Sequence, residues 1–466
     1  MAEGDVAAPQ LQSLGGFAFP ADGLVHLQAF TTLTSLKIRG LEHNANEEKA
    51  CQGLAGLTSL CCLEVDTSTD GLLPGFRSLT NLTSLAVQQL AWDWGIPNLR
   101  HLPPQLLELN MTLFLKGDRE NQPPVDLSHV TGLTRLVAAD ADEPQHDGWV
   151  VGFAHLYNGG CADKLPPNCR HLSVQDIVSA QPLLELQHLE RLEIQGCYPC
   201  DEYVQHALKQ LTSLSSLTDL QINTEVESLD ELGAGMLLAL PFLRGLRLLH
   251  RDWRADDLGV MDIPVLSKLL KLSTLQKLSL ENLRLQDSSG CRVADAVRGL
   301  RGLQSLRLCG CVVGEGSSSA KFASVAGAIA VLPELRDVRL AALSQWDEAA
   351  SVALAAATQL TGLFVTGRKS LAFVSLVRHV HKLSGLRKLW LDVPGLYWLD
   401  VDATAASLTG LTELCLKPDD AQQLRPKFPS VDVRRIWNVK VRADRLSRGS
   451  WEVHCWSPAD GDWITT

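Results

Sequence analysis

Leu275-Gln-Lys-Leu278-Ser-Leu280, Leu303-Gln-Ser-Leu306-Arg-Leu308 and Leu335-Arg-Asp-Val338-Arg-Leu340 share one pattern: apolar, two variable, apolar, one variable, apolar. Followed outward from these copies, the comb recurs sixteen times along the 466 residues. It runs from Leu33-x-x-Leu36-x-Ile38 to Phe428, with further first positions such as Leu60, Leu82, Leu133, Cys169, Leu189, Leu360, Leu386 and Leu411. Self-similarity with a period of roughly 20–30 residues predicts a solenoid. The second and third apolar residues are two apart, so they fall on one side of an extended strand. No single unit can bury them. Parallel stacking does, at roughly 1.5–3 kcal/mol for each large aliphatic side chain.

The segments between combs supply the return path. Leu266-x-x-Leu269-x-x-Leu272 has the spacing of a helix or 3₁₀ turn. The longer units leave room for helices over residues 291–300, 321–332 and 348–358, whereas the shorter early units predict only a turn there. The longest gap, Leu133 to Cys169, predicts an inserted loop or degenerate unit near residues 142–165.

On these combs the chain resembles the leucine-rich repeat superfamily over roughly residues 24–436, and its longer units resemble the ribonuclease-inhibitor and cysteine-containing intracellular types. The resemblance implies an α/β fold: a right-handed horseshoe solenoid with a concave parallel β-sheet and convex helices or turns. Residues 1–23 are then an N-terminal segment and 437–466 a C-terminal cap, with Trp451-x-Val453-x-Cys455 and Pro458-Ala-Asp-Gly461 reading as a hairpin with a basic outer face. At the ninth position the family places Asn or Cys. This chain has Cys197 and Cys311 there, but also Leu41, Leu90, Ile177, Leu283 and Leu343. Apolar side chains cannot make the turn bonds, so looser turns are expected.

The formal charge is −11, which favours solubility and argues against nucleic acid or anionic membrane as the main partner. The basic exception is residues 425–448, where Arg425, Lys427, Arg434, Arg435, Lys440, Arg442, Arg445 and Arg448 face only Asp432 and Asp444. Residues 349–367 carry no charge over a membrane-spanning length, yet they fit a repeat. Met1–Pro9 holds Glu3 and Asp5 and no apolar run, so no secretory signal is read. With twelve cysteines, this predicts reduced thiols and an intracellular protein: cytoplasmic, with the ciliary axoneme or nucleus as alternatives.

Catalytic and metal motifs do not survive inspection. Cys197-Tyr-Pro-Cys200 has a metal spacing, but Cys197 occupies the structural turn position. Gly362–Ser370 approaches a phosphate-binding loop, but overlaps a repeat strand. His379 and His381 read as a solvated convex pair. No enzyme, cofactor or metal is predicted.

The residue between the second and third apolar positions points to the concave face. That column ends in Arg247, Ser279, Arg307, Arg339, Phe364, Trp390 and Cys415. Arg244, Lys277 and Arg336 belong to the same repeats, with Glu281 and Asp337 as partial offsets. Arginine and aromatic residues are common interface anchors. The expected site is therefore Arg244, Arg247, Lys277, Arg307, Arg336, Arg339, Phe364 and Trp390, binding another protein that presents an acidic segment. Two rivals stand beside this scaffold. One is a ubiquitin-ligase substrate receptor whose F-box is absent or degenerate; the other is a nucleic-acid binder working through residues 425–448.

Overall fold

Each comb forms one strand, and successive strands pair in parallel. The computed structural model describes residues 11–19, 23–41, 47–65, 68–69, 72–92, 99–115, 126–138, 150–151, 164–174, 181–197, 209–224, 240, 242–250, 259–262, 272, 274–286, 291–313, 320–343, 345–366, 373–392, 401–416, 432–435, 454–456 and 463–465. The chain divides into two compact units, Met1–Ile222 and Asn223–Thr466.

In the first unit the strands are β1 (Ser13–Phe19), β2 (Ser35–Leu41), β3 (Cys62–Val65), β4 (Ser68–Thr69), β5 (Ser84–Trp92) and β6 (Glu108–Leu115). They continue as β7 (Arg135–Ala138), β8 (Val150–Val151), β9 (His171–Val174), β10 (Arg191–Cys197) and β11 (Asp219–Thr224). The sheet runs in parallel through β1, β2, β3, β5, β6, β7, β9 and β10, with β11 beside β10. Two features depart from the simple comb. The sheet starts at β1, inside the segment read as N-terminal, and β8 pairs antiparallel with the far end of β6, inside the long gap. The connection Glu47–Ala55 is a nine-residue helix, longer than the turn expected of an early unit.

The second unit repeats the arrangement. Its strands are β12 (Gly245–His250), β13 (Gly259–Asp262), β14 (Lys277–Glu281), β15 (Leu283–Gln286), β16 (Ser305–Cys309) and β17 (Val312–Val313). Then follow β18 (Asp337–Ala341), β19 (Gly362–Thr366), β20 (Lys388–Asp392), β21 (Glu413–Leu416) and β22 (Asp432–Arg435). The main sheet is parallel from β12 through β14, β16, β18, β19, β20 and β21 to β22. A narrow second parallel sheet, β13–β15–β17, follows the turns. Helices Cys291–Gly299, Ala320–Ala330 and Glu348–Leu354 occupy the expected long return segments. The uncharged stretch 349–367 is thus part helix and part strand, and no described helix is long and apolar enough to cross a membrane. Within each unit, parallel strands alternate with return segments, the arrangement the comb predicts.

Burial follows the comb. Leu36, Ile38, Leu192, Leu278, Leu306, Val338 and Leu389 are all buried, with the variable residues between them on the sheet's open face. On the return side of the second unit, Phe322, Trp346 and Phe373 form a buried row, with ring centroids 5.4 Å and 5.8 Å apart. Such offset aromatic pairs add to the area they bury. The Trp346 indole N–H donates to Ser351 Oγ at 2.9 Å, so its polar edge is satisfied.

The described turns are more regular than the missing asparagine ladder suggested. Asn282, Gly310 and Ala342 follow β14, β16 and β18, and all three are left-handed, with φ of 53°, 59° and 49°. Their backbone N–H groups donate to Cys309 O, Ala341 O and Thr366 O, each on the next strand of the sheet. Leu283, Cys311 and Leu343 then turn into the core, and the backbone supplies the bonds that apolar side chains cannot. A hydroxyl ladder reinforces the strand entries. Thr34, Thr83, Thr134, Thr218, Thr361 and Thr412 each follow the comb's first Leu and donate to a carbonyl of the preceding unit: Gln12, Cys61, Leu107, Glu190, Arg336 and Arg387.

Beyond the main sheet, His454–Trp456 pairs antiparallel with Trp463–Thr465, giving a hairpin whose first strand lies slightly later than the alternation implied. Of the basic segment 425–448, only the backbone of Asp432–Arg435 is described.

Candidate functional site

Strand register brings the predicted column of the second unit into line. Arg247 lies opposite Ser279, Ser279 opposite Arg307, Arg307 opposite Arg339, Arg339 opposite Phe364, Phe364 opposite Trp390, and Trp390 opposite Cys415. Neighbouring strands sit ~4.8 Å apart, so these side chains form a continuous row. Two residues further along, on the same face, the row reads Leu249, Glu281, Cys309, Ala341, Thr366 and Asp392.

Glu281 organises the first half of the site. Its side chain is only 3% exposed although it stands on the open face. Arg247 Nε donates to Oε1 at 2.7 Å and its terminal nitrogen to Oε2 at 3.1 Å, a two-pronged grip. Ser279 Oγ donates to the same Oε1 at 2.7 Å, and Arg307 Nε lies 3.3 Å from it. Burial pushes the Glu281 carboxyl up, but Arg247, Arg307 and the Ser279 hydroxyl together outweigh burial and hold it below its ordinary range. Burial pushes Arg307 down and Glu281 pulls it back; the guanidinium stays charged because its ordinary value lies so high. Two arginines therefore share one carboxylate. At least one unit of the positive charge expected here is compensated within the protein.

The second half is aromatic. The Arg339 guanidinium lies over the Phe364 ring, 4.6 Å from its centroid. Phe364 and Trp390 follow at 6.4 Å between centroids. Phe364 is half-buried, whereas Trp390 is 9% exposed and Cys415 is 3% exposed, so accessibility falls along the row. A cation held flat over an aromatic face keeps its charge while losing little freedom.

The remaining expected residues sit apart from this row. Arg244 is exposed at the entry to β12, and its carbonyl accepts from Gln276 and Lys277. Arg336 occupies the equivalent entry before β18; its guanidinium bonds the Pro333, Leu335 and Gln359 carbonyls, which draws it towards the turn. Lys277 is exposed on the open face beside the row. The row thus gathers five of the eight: Arg247, Arg307, Arg339, Phe364 and Trp390.

The other motifs resolve into structure. Cys311 is fully buried and donates to Leu280 O at 3.1 Å, and burial pushes its thiol up to about 12. Burial likewise pushes Cys169 up to about 12 and Cys309 to about 11. The Cys200 half of the metal-like spacing, and the Cys197 side chain, lie outside the described residues. Among the described residues no His, Cys, Asp and Glu group has the makings of a metal site. The two convex histidines do not act as a pair: His379 Nε2 lies 2.6 Å from Glu348 Oε1, bridging two return helices.

No protein-family model matches this chain, and no curated protein matches it. Among solved structures, it is similar to an internalin of Listeria monocytogenes at 15% identity and a TM-score of 0.34, covering 87% of this chain and 86% of that one. It is also similar to a chain of the Toll–Spatzle complex, a hub in Drosophila development and innate immunity, at 15% identity and a TM-score of 0.39. That match covers 87% of this chain but 50% of the other, so this chain spans half its length. A third similarity is to the TLR13–ssRNA13 complex, at 16% identity and a TM-score of 0.43, covering 88% and 65%. These likenesses carry no functional argument.

Proposed function

We propose that this leucine-rich repeat chain is a non-enzymatic protein-binding scaffold, and that it holds its partner on the open face of the second unit's sheet. One observation carries the reading: Arg339 and Phe364 stand adjacent on that face, stacked and partly accessible. The surrounding side chains are already pinned, Arg247 and Arg307 by Glu281 and Phe364 by Trp390, so little freedom is lost on docking. The partner presents a carboxylate towards Arg339 and an apolar group towards Phe364. Arg247 and Arg307 contribute shape more than charge. Buried, protonated thiols at Cys169, Cys309 and Cys311 suit a reducing compartment, and the cytoplasm is the one we assign.

The test is affinity capture from native lysate with the wild-type chain, an Arg339→Ala/Phe364→Ala variant, and Val352→Ala as a return-side control, since Val352 is 48% exposed. The reading expects the double variant to lose a partner that the control retains. Equal capture by all three would move the site off this face.

A further inference from the structure

A second charged surface lies in the first unit, and it differs in kind from the arginines of the second. Arg135, His171 and Arg191 occupy the same position on β7, β9 and β10, immediately before the comb's second apolar residue. Register places Arg135 opposite His171 and His171 opposite Arg191. Leu136, Leu172 and Leu192 beside them are buried, so alternation turns all three towards the sheet's open face. All three are exposed. None of them has a side-chain hydrogen bond or ion pair with any described residue.

Arg135 and Arg191 stand about 10 Å apart across the three strands, with the His171 imidazole between them. In the second unit Ser279 separates the two arginines and both reach the Glu281 carboxylate. Here no described carboxylate bonds either arginine. Glu193, the nearest acid on the same face of β10, is engaged by Gln221 Nε2 at 2.5 Å. The run is also bounded: Glu108 stands opposite Arg135 on one side. On the other, the Asp219 N–H bonds Glu190 O and so places Asp219 beside Arg191.

We infer that Arg135, His171 and Arg191 form a docking site for an acidic helical segment of a partner protein. The geometry selects the shape. The three N–H-bearing side chains repeat at ~4.8 Å, while carboxylates at i, i+4 and i+7 of a helix repeat at about 5–6 Å on one face. An extended strand places same-side residues almost 7 Å apart and would match only one of them well. Three strands span about 10 Å, close to two helical turns of about 5.4 Å each. Glu108 and Asp219 then favour basic residues flanking the partner's acidic run and disfavour a continuous polyanion. This surface stands independently of the proposal for the second unit.

The test uses fluorescence anisotropy on the full chain. The probe is a labelled alanine-based helical peptide with Glu at i, i+4 and i+7 and Lys on either side. Arg135→Glu/Arg191→Glu should weaken binding about tenfold or more, as the sum of several exposed charge pairs. A peptide with Lys in place of Glu should recover affinity for that variant. Arg135→Gln/Arg191→Gln, a milder exposed change, should show an intermediate loss, and circular dichroism should report an unchanged fold for both. Wild-type binding should weaken as salt rises. Unchanged affinity in both variants, or no recovery by the charge-swapped peptide, would overturn the proposal. So would tighter binding at these residues by a phosphoserine peptide or a single-stranded RNA oligonucleotide.

Discussion

Arg247 grips Glu281 through two nitrogens across the β12–β14 pair, at 2.7 Å and 3.1 Å, and thereby turns an open-face carboxylate into a buried one. Arg307 completes the clamp from the other side. Removing the carboxylate strands two guanidiniums against each other. Glu281→Ala should therefore cost about 3 kcal/mol, in the range for breaking a buried ion pair. Urea denaturation of the full chain measures it.

Acid should act on the same group. The Glu281 carboxyl is held below its ordinary range in the folded chain, so its contribution is complete above the unfolded value of about 4.3. That contribution is lost as pH falls through the lowered folded value. The stability gap between wild type and Glu281→Gln should be widest at neutral pH and shrink in that acidic window. A gap independent of pH would contradict the clamp.

Gly385 and Gly410 occupy equivalent places, one residue before the comb's first Leu. A Cβ on Gly385 would collide with the Thr358 carbonyl oxygen, a backbone atom that cannot swing away. On Gly410 it would find only Leu386 O, at 3.8 Å. Gly385→Ala should lower stability by about 1–3 kcal/mol, the range for overpacking, while Gly410→Ala should be close to neutral. Thermal unfolding of the two variants separates them.

Thiol accessibility divides the described cysteines. Cys61 and Cys62 are exposed, whereas Cys169, Cys309 and Cys311 are buried, with thiols pushed well above the ordinary range. Under native conditions iodoacetamide should modify the first pair and spare the other three until urea unfolds the chain. Peptide mass spectrometry reads the order. Cys311→Ala should cost about 1 kcal/mol, because a small buried side chain and its weak bond are lost together.

How much of this was legible differs from feature to feature. The strands around Leu36, Leu278 and Leu389 were, because an alternation repeated many times leaves no other face to bury. The column Arg247–Trp390 followed from the same alternation, since the residue between two buried ones must point away from them. The turns were only half legible. Gly310 and Asn282 suit a left-handed backbone, but Ala342 does not, and its conformation is imposed by the bond from its N–H to Thr366 O. The Thr after the comb's first Leu is a local signal of the hydroxyl ladder. The column of Arg135, His171 and Arg191 was hidden by the long gap between Leu133 and Cys169, which separates neighbours in the sheet along the chain.

The sequence by itself determined which face of the sheet each strand side chain takes, because the apolar comb has one periodicity and one low-energy way to hide it. Only the tertiary structure decided which presented charges remain available. Glu281 neutralises Arg247 from 34 residues away, while Arg135, His171 and Arg191 meet with no acid between them. Charge pairing depends on distances of a few ångströms between strands. Those distances are set by register across the sheet, which no local run of residues encodes.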